Sequence, residues 1–190
     1  MFTSLASHRV RTALLALLVV VSLVGTACSG SSASSDDLPD LEDVPGAGAS
    51  PEDGETAADF TVMTLDGAGF TLSEHLEDDG RPVFLNMWAS WCPPCRQEMP
   101  DIDAASDSHD DVKFVGIAVN DDPVEAAEFA TSIDIGYTIG FDEQGAVAQD
   151  YKVVGLPASY IISSDGIILE QVFGSVTEDD IDAMLDRWFS

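Results

Sequence analysis

Basic side chains are scarce in this chain: 7 Lys+Arg stand against 35 Asp+Glu, which leaves a formal net charge of −28. A field of that sign repels phosphate backbones and anionic lipid headgroups, so the composition argues against nucleic-acid binding. A dense acidic surface also suits salt-rich surroundings, where screening weakens self-repulsion. That interpretation concerns habitat and indicates no chemistry.

Cysteine is scarce as well, with three residues at positions 28, 92 and 95. Three cysteines are too few for a disulfide-stapled scaffold, and Cys92 and Cys95 form a single C-x-x-C. No repeat of about 20 to 50 residues is visible. The hydrophobic share of 45% supports a sizeable core, so the 190 residues are expected to form one ordinary domain with additions.

Apolar runs in this chain are short for a permanent membrane span, so an uncleaved transmembrane helix is the less favoured interpretation. The longest run extends from Ala13 to Ala27 and follows a basic start at Arg9 and Arg11. A helix of this length covers only about 22 Å, less than the roughly 30 Å hydrocarbon core. A basic start, an apolar core and a small-residue exit are typical of an export signal, so residues 1–27 are predicted to be a signal peptide.

Cys28 stands directly after this leader. The stretch 23–29, LVGTACS, resembles a bacterial lipobox, in which the cysteine is lipidated and becomes the new N-terminus. Gly25 departs from that pattern, because a larger aliphatic residue is more usual three places before the cysteine. The resemblance implies a lipid anchor at the extracytoplasmic face of the cell membrane, and cleavage near Ala27 with plain secretion is the alternative.

Residues 28–59 are predicted to be a disordered acidic tether. After Cys28 the stretch is rich in Ser, Gly, Ala, Asp and Pro, and it contains no aromatic and no basic residue. Such a composition buries too little apolar surface to offset the chain entropy lost on folding. The folded domain is therefore predicted to occupy residues 60–190.

Hydrophobic patterning predicts an α/β domain that opens with a β-hairpin over 60–72 and a short helical turn capped by Ser73. Five further strands are predicted over 82–88, 112–119, 137–141, 159–162 and 167–173, of which the last two pair antiparallel. Four further helices are predicted over 93–105, 123–131 and 146–151 and from a cap at Thr177 to about Phe189. After the hairpin and its helical turn, strands and helices are therefore predicted to alternate up to the final pair of strands, which the last helix follows.

The C-x-x-C lies where the strand over 82–88 gives way to a helix. Cys92 is thereby predicted to start that helix, where unpaired N–H groups and the helix dipole favour the thiolate, which is the nucleophile in disulfide exchange. Two intervening residues allow Cys95 to attack a mixed disulfide formed on Cys92. Pro93 and Pro94 suit a first helical turn, whose N–H groups have no partner to lose. The motif indicates redox chemistry.

Two other roles remain open for these cysteines. A structural zinc site needs four ligands, and only His75 and His109 could join the cysteines, at spacings unlike an H-x₃₋₅-H pair. Both histidines are predicted to be solvated surface residues. A static disulfide is the second alternative, although a C-x-x-C at a strand–helix junction closes a strained ring. We predict no metal site and no cofactor beyond the dithiol.

The segment 85–100, LNMWASWCPPCRQEMP, resembles the active-site segment of thioredoxin-like extracytoplasmic thiol–disulfide oxidoreductases of the TlpA/ResA-like family. The resemblance extends from Phe60 to the C-terminus and implies a thioredoxin-like fold, a central mixed β-sheet flanked by helices, with an N-terminal β-hairpin extension. That family includes membrane-tethered proteins that serve cytochrome c maturation. The resemblance also implies a Cys92–Cys95 dithiol that reduces disulfides in exported proteins. A membrane electron-transfer partner is implied to restore this dithiol.

Further positions match the family's pattern. Leu156–Pro157 matches the cis-proline loop, which faces the cysteines and pairs its backbone with the incoming peptide, and Glu98 matches an acidic residue that tunes the thiols. Asn86 stands where cytoplasmic thioredoxins keep a buried Asp, so that proton route is missing. Simpler interpretations are a trans proline, a glutamate that favours the helix dipole, and a Trp91 that packs beside the cysteines instead of gripping a partner.

Other functions compete with a reductase. The same exchange in reverse is an oxidase of exported proteins, although an apolar surround and Pro-Pro between the cysteines favour a low potential and hence reduction. A thiol peroxidase of similar fold would need Pro at position 85 and Thr or Ser at position 89, where the chain has Leu85 and Ala89. A redox-inert adaptor that uses only the thioredoxin surface would need neither cysteine.

Overall fold

A computed structural model describes residues 54–190, which form one seven-stranded sheet with five helices. The predicted signal peptide, the predicted lipid acceptor Cys28 and the tether up to residue 53 lie outside the described residues. Among the helices of residues 54–190, none has the length and apolar character that crossing a bilayer requires.

The order of elements agrees with the hydrophobic patterning. The strands are β1 Thr61–Thr64, β2 Gly69–Thr71, β3 Val83–Trp88, β4 Lys113–Val119, β5 Thr138–Asp142, β6 Ala158–Ile162 and β7 Ile168–Phe173. The helices are α1 Leu72–Asp78, α2 Pro93–Ser108, α3 Pro123–Ser132, α4 Ala146–Asp150 and α5 Glu178–Phe189. The predicted boundaries therefore lie within a few residues of those observed.

The sheet is mixed, with the strand order β2-β1-β5-β4-β3-β6-β7. Strands β3, β4 and β5 are parallel because a helix on the face of the sheet returns the chain between them. Strand β6 runs antiparallel to both β3 and β7, and β1 runs antiparallel to β5 and β2. This arrangement confirms the predicted thioredoxin-like fold with its N-terminal hairpin.

Strand β3 is the centre of the core and carries the site at its end. All six of its residues are buried, as its nearly continuous apolar sequence predicts for a strand covered on both faces. Phe84 and Trp88 pack into the cluster formed with α2, α3 and α5, whereas Leu85 and Met87 pack into the cluster on the opposite face. Because side chains alternate along a strand, Asn86 points to the same face as Phe84 and Trp88.

The predicted start of the domain at residue 60 is too late. The N–H of Ala57 donates to Gly166 O at 2.8 Å, and the N–H of Ile168 donates to Glu55 O at 2.9 Å. Tyr151 Oη also donates to Ala58 O at 2.9 Å. These residues join the fold mainly through backbone hydrogen bonds, which a composition rule based on aromatic and apolar content does not detect.

Two predicted helix caps had different outcomes. Ser73 does not cap α1, whose N-cap residue is Thr71, because the Asp59 carboxylate accepts from both the N–H and the hydroxyl of Ser73, at 2.9 and 2.8 Å. Thr177 does cap α5: its hydroxyl accepts from the N–H of Asp180, whose carboxylate binds the Thr177 N–H in return. The second prediction is confirmed and the first is wrong.

Candidate active site

The cysteine pair sits at the junction between β3 and α2. Cys92 is the N-cap residue of α2, with extended backbone angles, and the N–H of Cys95 points to its sulfur at 3.3 Å. The two cysteines form a disulfide whose Cα atoms are 5.3 Å apart. The predicted placement of Cys92 at the helix start is confirmed. Because Pro93 and Pro94 have no N–H, the first-turn donor that faces the Cys92 sulfur is the N–H of Cys95.

The two sulfur-bearing residues differ in exposure. Cys92 is 4% exposed, whereas Cys95 is completely buried within the same hydrophobic cluster. An incoming thiol or disulfide therefore has access to the pair only from the side of Cys92. The geometry favours Cys92 as the residue that forms the bond to a partner and Cys95 as the residue that releases it.

Pro157 lies beside the end of β3. The Leu156–Pro157 bond is cis, which confirms that prediction. Ala158, the next residue, pairs with Met87 of β3 and with Phe173 of β7, and the carbonyl of Pro157 accepts from the N–H of Gly174 at 2.9 Å. Leu156 packs against the hydrophobic cluster that contains both cysteines. The structure thus brings the predicted proline loop and the cysteines to the same end of the sheet.

Glu98 is buried beneath the cysteines, one helical turn after Cys95. Only 2% of it is exposed. Its Oε2 accepts from the N–H of Val176 at 3.0 Å, and its Oε1 accepts from Asn86 Nδ2 at 2.9 Å. The Asn86 amide also donates to Ser159 Oγ at 3.1 Å. Glu98 therefore lies inside the core, not on the exposed face of the helix that a role limited to the dipole would suggest.

Burial raises the pKa of Glu98 to about 7, and the negative charge of Asp101 adds to this effect. The hydrogen bonds from Val176 and Asn86 favour the charged form and oppose the rise in pKa. Near neutral pH the Glu98 carboxyl is therefore present in both protonated and ionised forms. Such a group can take up or release a proton next to the dithiol.

Trp91 is the exposed aromatic residue of the active-site loop. It is 59% exposed, and its indole N–H donates to Asn120 O at 3.2 Å. The hydrogen bond fixes one edge of the ring while the rest stays accessible. This position is compatible with contact to a partner, as the sequence predicted for Trp91.

The sequence analysis missed three polar residues of the site: Ser90, Arg96 and Asp121. Asp121 stands two residues after the end of β4, and its carboxylate accepts from both the N–H and the hydroxyl of Ser90. Arg96 Nη1 donates to Ser90 O at 3.2 Å. A usable signal exists, because the C-terminal ends of the neighbouring parallel strands β3 and β4 meet at one edge of the sheet, so the residues that follow them are brought together.

The two histidines are not brought to the cysteines. His109 follows α2 at its C-terminal end, about 25 Å along the helix from Cys92, and its Nε2 lies 2.8 Å from Asp182 Oδ1. His75 packs against Phe70, with its Nε2 3.1 Å from Arg81 O. Both rings are surface residues that are partly buried, and each makes a specific contact that the prediction of solvated surface residues did not include.

Comparison with known proteins gives the family. A family model described as AhpC/TSA family matches residues 54–171, which is more than half of the chain and includes both cysteines and the proline loop. The chain belongs to this family.

The thioredoxin-like protein YneN of Bacillus subtilis (strain 168) is 35% identical over 140 residues, which cover 71% of this chain and 79% of YneN. The thiol-disulfide oxidoreductase ResA of Geobacillus kaustophilus (strain HTA426) is 30% identical over 135 residues, covering 70% of this chain and 76% of ResA. A secreted Mycobacterium tuberculosis disulfide oxidoreductase homologous to E. coli DsbE superposes with a TM-score of 0.60 at 27% identity, covering 67% of this chain and 95% of that one. This family member is thus a thiol–disulfide oxidoreductase.

Proposed function

We propose that this protein is an extracytoplasmic reductase of disulfides in exported proteins, with Cys92 as the attacking thiol and Cys95 as the resolving thiol. The observation that carries the proposal is the placement of Glu98. A buried carboxyl with its pKa near 7 lies one turn below a cysteine pair in which only Cys92 is accessible.

The reaction consists of two exchanges. The Cys92 thiolate attacks one sulfur of the substrate disulfide, which forms a mixed disulfide and releases the other substrate sulfur as a thiolate that takes up a proton. Cys95 then loses its proton and attacks Cys92 Sγ, which forms the Cys92–Cys95 disulfide and releases the second substrate thiolate. Two electrons pass from the protein to the substrate. Glu98 is the buried group placed to accept the proton of Cys95.

The direction of electron flow follows from the charge beneath the pair. An ionised Glu98 disfavours a nearby thiolate, and so does burial of Cys95. When the thiolate is disfavoured, the reduced protein is less stable relative to the disulfide, and the reduction potential falls. A low potential favours a reductase over an oxidase. The resulting disulfide would be returned to the dithiol by a membrane electron-transfer partner.

The surface around Cys92 suits an apolar polypeptide. Three of the segments that reach this end of the sheet, over 80–97, 151–164 and 171–177, contain no acidic residue although the chain holds 35. The loop after β4 brings Asp121 and Asp122 to the same end. Trp91, Val154 and Phe173 are exposed there. Exposed apolar side chains of this kind favour an extended, apolar substrate segment. Exported apocytochromes c, whose cysteines must be reduced, are the substrate class that the TlpA/ResA-like resemblance supports.

Membrane tethering through Cys28 is part of the proposal. Its support is the basic start, the short apolar core and the small-residue exit of residues 1–27, together with a similar protein that is described as secreted. Cys28→Ala is expected to leave the precursor unprocessed or to release the protein from membranes. A variant that is cleaved and remains in the membrane fraction as before would exclude lipidation.

A thiol peroxidase is the less favoured function. The positions at which a peroxidase motif requires Pro and Thr or Ser hold Leu85 and Ala89, and both are completely buried in the core. No polar side chain is therefore available at those positions to orient a peroxide.

The deciding experiment is a redox titration of the Cys92–Cys95 pair against glutathione, combined with insulin reduction by dithiothreitol. A midpoint of about −270 mV or below supports the reductase, and a midpoint of about −120 mV identifies an oxidase. Catalysis of insulin reduction that is lost in Cys92→Ser separates an enzyme from a redox-inert adaptor. A protein without catalysis would refute the proposal.

A further inference from the structure

Every polar group of Ser90 is bound by a charged side chain. Its N–H and its hydroxyl both donate to the carboxylate of Asp121, the hydroxyl at 2.9 Å to Oδ1 and the N–H to Oδ2. Its carbonyl accepts from Arg96 Nη1 at 3.2 Å. Ser90 is itself buried and stands two residues before Cys92. We refer to these three residues together as the Ser90 clamp.

The Asp121 side of the clamp is fixed from α3. Asp121 is 8% exposed, and its Oδ1 also accepts from the N–H of Asp122 at 3.0 Å. Asp122 caps α3 by accepting from the N–H of Val124 at 2.8 Å. Asn120, on the other side, has a left-handed backbone with φ 48° and accepts from the Trp91 indole. The loop between β4 and α3 is thus held at both ends, which gives the carboxylate of Asp121 a defined position.

The Arg96 side of the clamp joins α2 to α3. Arg96 directly follows Cys95 in the first turns of α2, and its guanidinium carbon lies 4.2 Å from the centre of the Phe129 ring in α3. Stacking on the ring leaves the N–H groups at the edge of the guanidinium free to donate, here to Ser90 O. The clamp therefore ties the active-site loop to both neighbouring helices.

We propose that Asp121 is a positioning residue for Cys92 and that it acts through Ser90. The loop from β3 to α2 is short, and its own backbone contributes one turn, in which the N–H of Cys92 donates to Ala89 O at 3.1 Å. The hydrogen bonds that other elements make to the loop come from the clamp and from the Trp91 indole, which donates to Asn120 O. None of the clamp's hydrogen bonds involves a sulfur, so reduction of the disulfide breaks none of them. In the dithiol form the clamp keeps Cys92 at the N-terminus of α2, where the thiolate is stabilised.

This role matters for catalysis only if Cys92 is the attacking thiol of the proposed function, but it can be tested without a substrate. In the reduced protein, the rate of Cys92 alkylation by iodoacetamide is measured against pH, with the thiolate absorbance at 240 nm as a second readout. Ser90→Ala removes one hydrogen bond and leaves both charges in place. We expect the pKa of Cys92 to rise and its alkylation at pH 7 to slow by about threefold or more, which corresponds to half a pKa unit.

A double-mutant cycle tests whether Asp121 acts through Ser90. The variant that combines Ser90→Ala with Asp121→Asn should react like Asp121→Asn alone, because the hydroxyl has no charged acceptor once Asp121 is replaced. Effects of the two substitutions that multiply would overturn the proposal. An unchanged Cys92 rate and pKa in Ser90→Ala would also overturn it, and this variant decides the matter alone if Asp121→Asn does not fold.

Asp142 provides the matched control. It is as buried as Asp121, and its carboxylate accepts from the N–H groups of Ala146 and Ala148 in the first turn of α4, at 2.8 and 3.0 Å. Asp142→Asn should leave the alkylation profile of Cys92 unchanged. An equal effect in this variant would show general loosening of the fold and refute the proposal. Insulin reduction by the unaltered protein tests the proposed function separately, so the two failures are distinguishable.

Discussion

Replacing Glu98 by Gln should remove a pH-dependent part of the stability of the oxidised protein. The substitution keeps the size of the side chain and removes its titration. The introduced amide can still accept from the N–H of Val176 through its oxygen, and its N–H can donate to Asn86 Oδ1, which has no partner among residues 54–190 in the native chain. A rotation of the Asn86 amide provides that contact, so the variant is expected to fold.

The direction in which the free energy of unfolding changes with pH follows from proton linkage. In the folded chain the pKa of Glu98 is raised from its ordinary value of 4.5 to about 7, so the folded state holds this proton more tightly than the unfolded state. The resulting stabilisation is fully present below pH 4.5 and is lost as the pH rises to 7. The difference between the pKa of Glu98 in the folded and unfolded states corresponds to at most about 3 kcal/mol of the free energy of unfolding.

The assay is urea unfolding of the oxidised protein between pH 4.5 and 8. The disulfide keeps both cysteines from titrating, and subtraction of the two curves removes the contribution of the other acidic groups. The unfolding free energy of Glu98→Gln minus that of the native chain should increase by up to about 3 kcal/mol across the window. A difference that stays constant from pH 4.5 to 8 would show that Glu98 does not titrate there and would refute the proton-acceptor role.

Three further predictions concern other parts of the domain. Cys95→Ser should accumulate a mixed disulfide with substrate through Cys92, detectable on non-reducing gels, whereas Cys92→Ser should accumulate little; equal trapping would reverse the assignment. Trp91→Ala should lower kcat/KM for a protein substrate by about tenfold, with little change for a small disulfide, because the half-exposed ring can contact only a large partner; equal losses would exclude that contact. Thr177→Ala should lower the free energy of unfolding by about 1 kcal/mol in urea through loss of the α5 capping box, and an unchanged midpoint would contradict this value.

Patterns local in sequence predicted the scaffold and the cysteine pair. The apolar run of β3 indicated burial on both faces, and the strand-to-helix change placed Cys92 at the start of α2. Both features depend on residues that are neighbours in the chain, so periodicity and turn chemistry suffice. The resemblance added Pro157, which comes from a distant part of the fold that no spacing rule could connect with the cysteines. It also added the role of Glu98, whose place one turn after Cys95 follows from helical spacing but whose burial does not.

The Ser90 clamp could not be identified from composition. Asp121 is one of 35 acidic residues, most of which are expected on the surface of so acidic a chain. Only the pairing of β3 with β4 places its carboxylate against Ser90, and only the packing of α2 on α3 places Arg96 over Phe129. Long-range contacts of this kind are set by topology, which a single sequence expresses weakly.

The pairing of residues 55–57 with the β6–β7 turn places the start of the domain at the end of the sheet opposite the active site, which is called the back below. Glu55 meets β7 at Ile168, the end of the hairpin that is opposite to Ala158 and Phe173, and those two residues flank the proline loop. A chain that anchors the domain from upstream of residue 54 would therefore join it at the back, about 13 Å along β6 from the active-site end. Anchored in this way, the domain would turn its disulfide away from the surface that holds it, and the length of the tether would set how far from that surface a substrate can be reached.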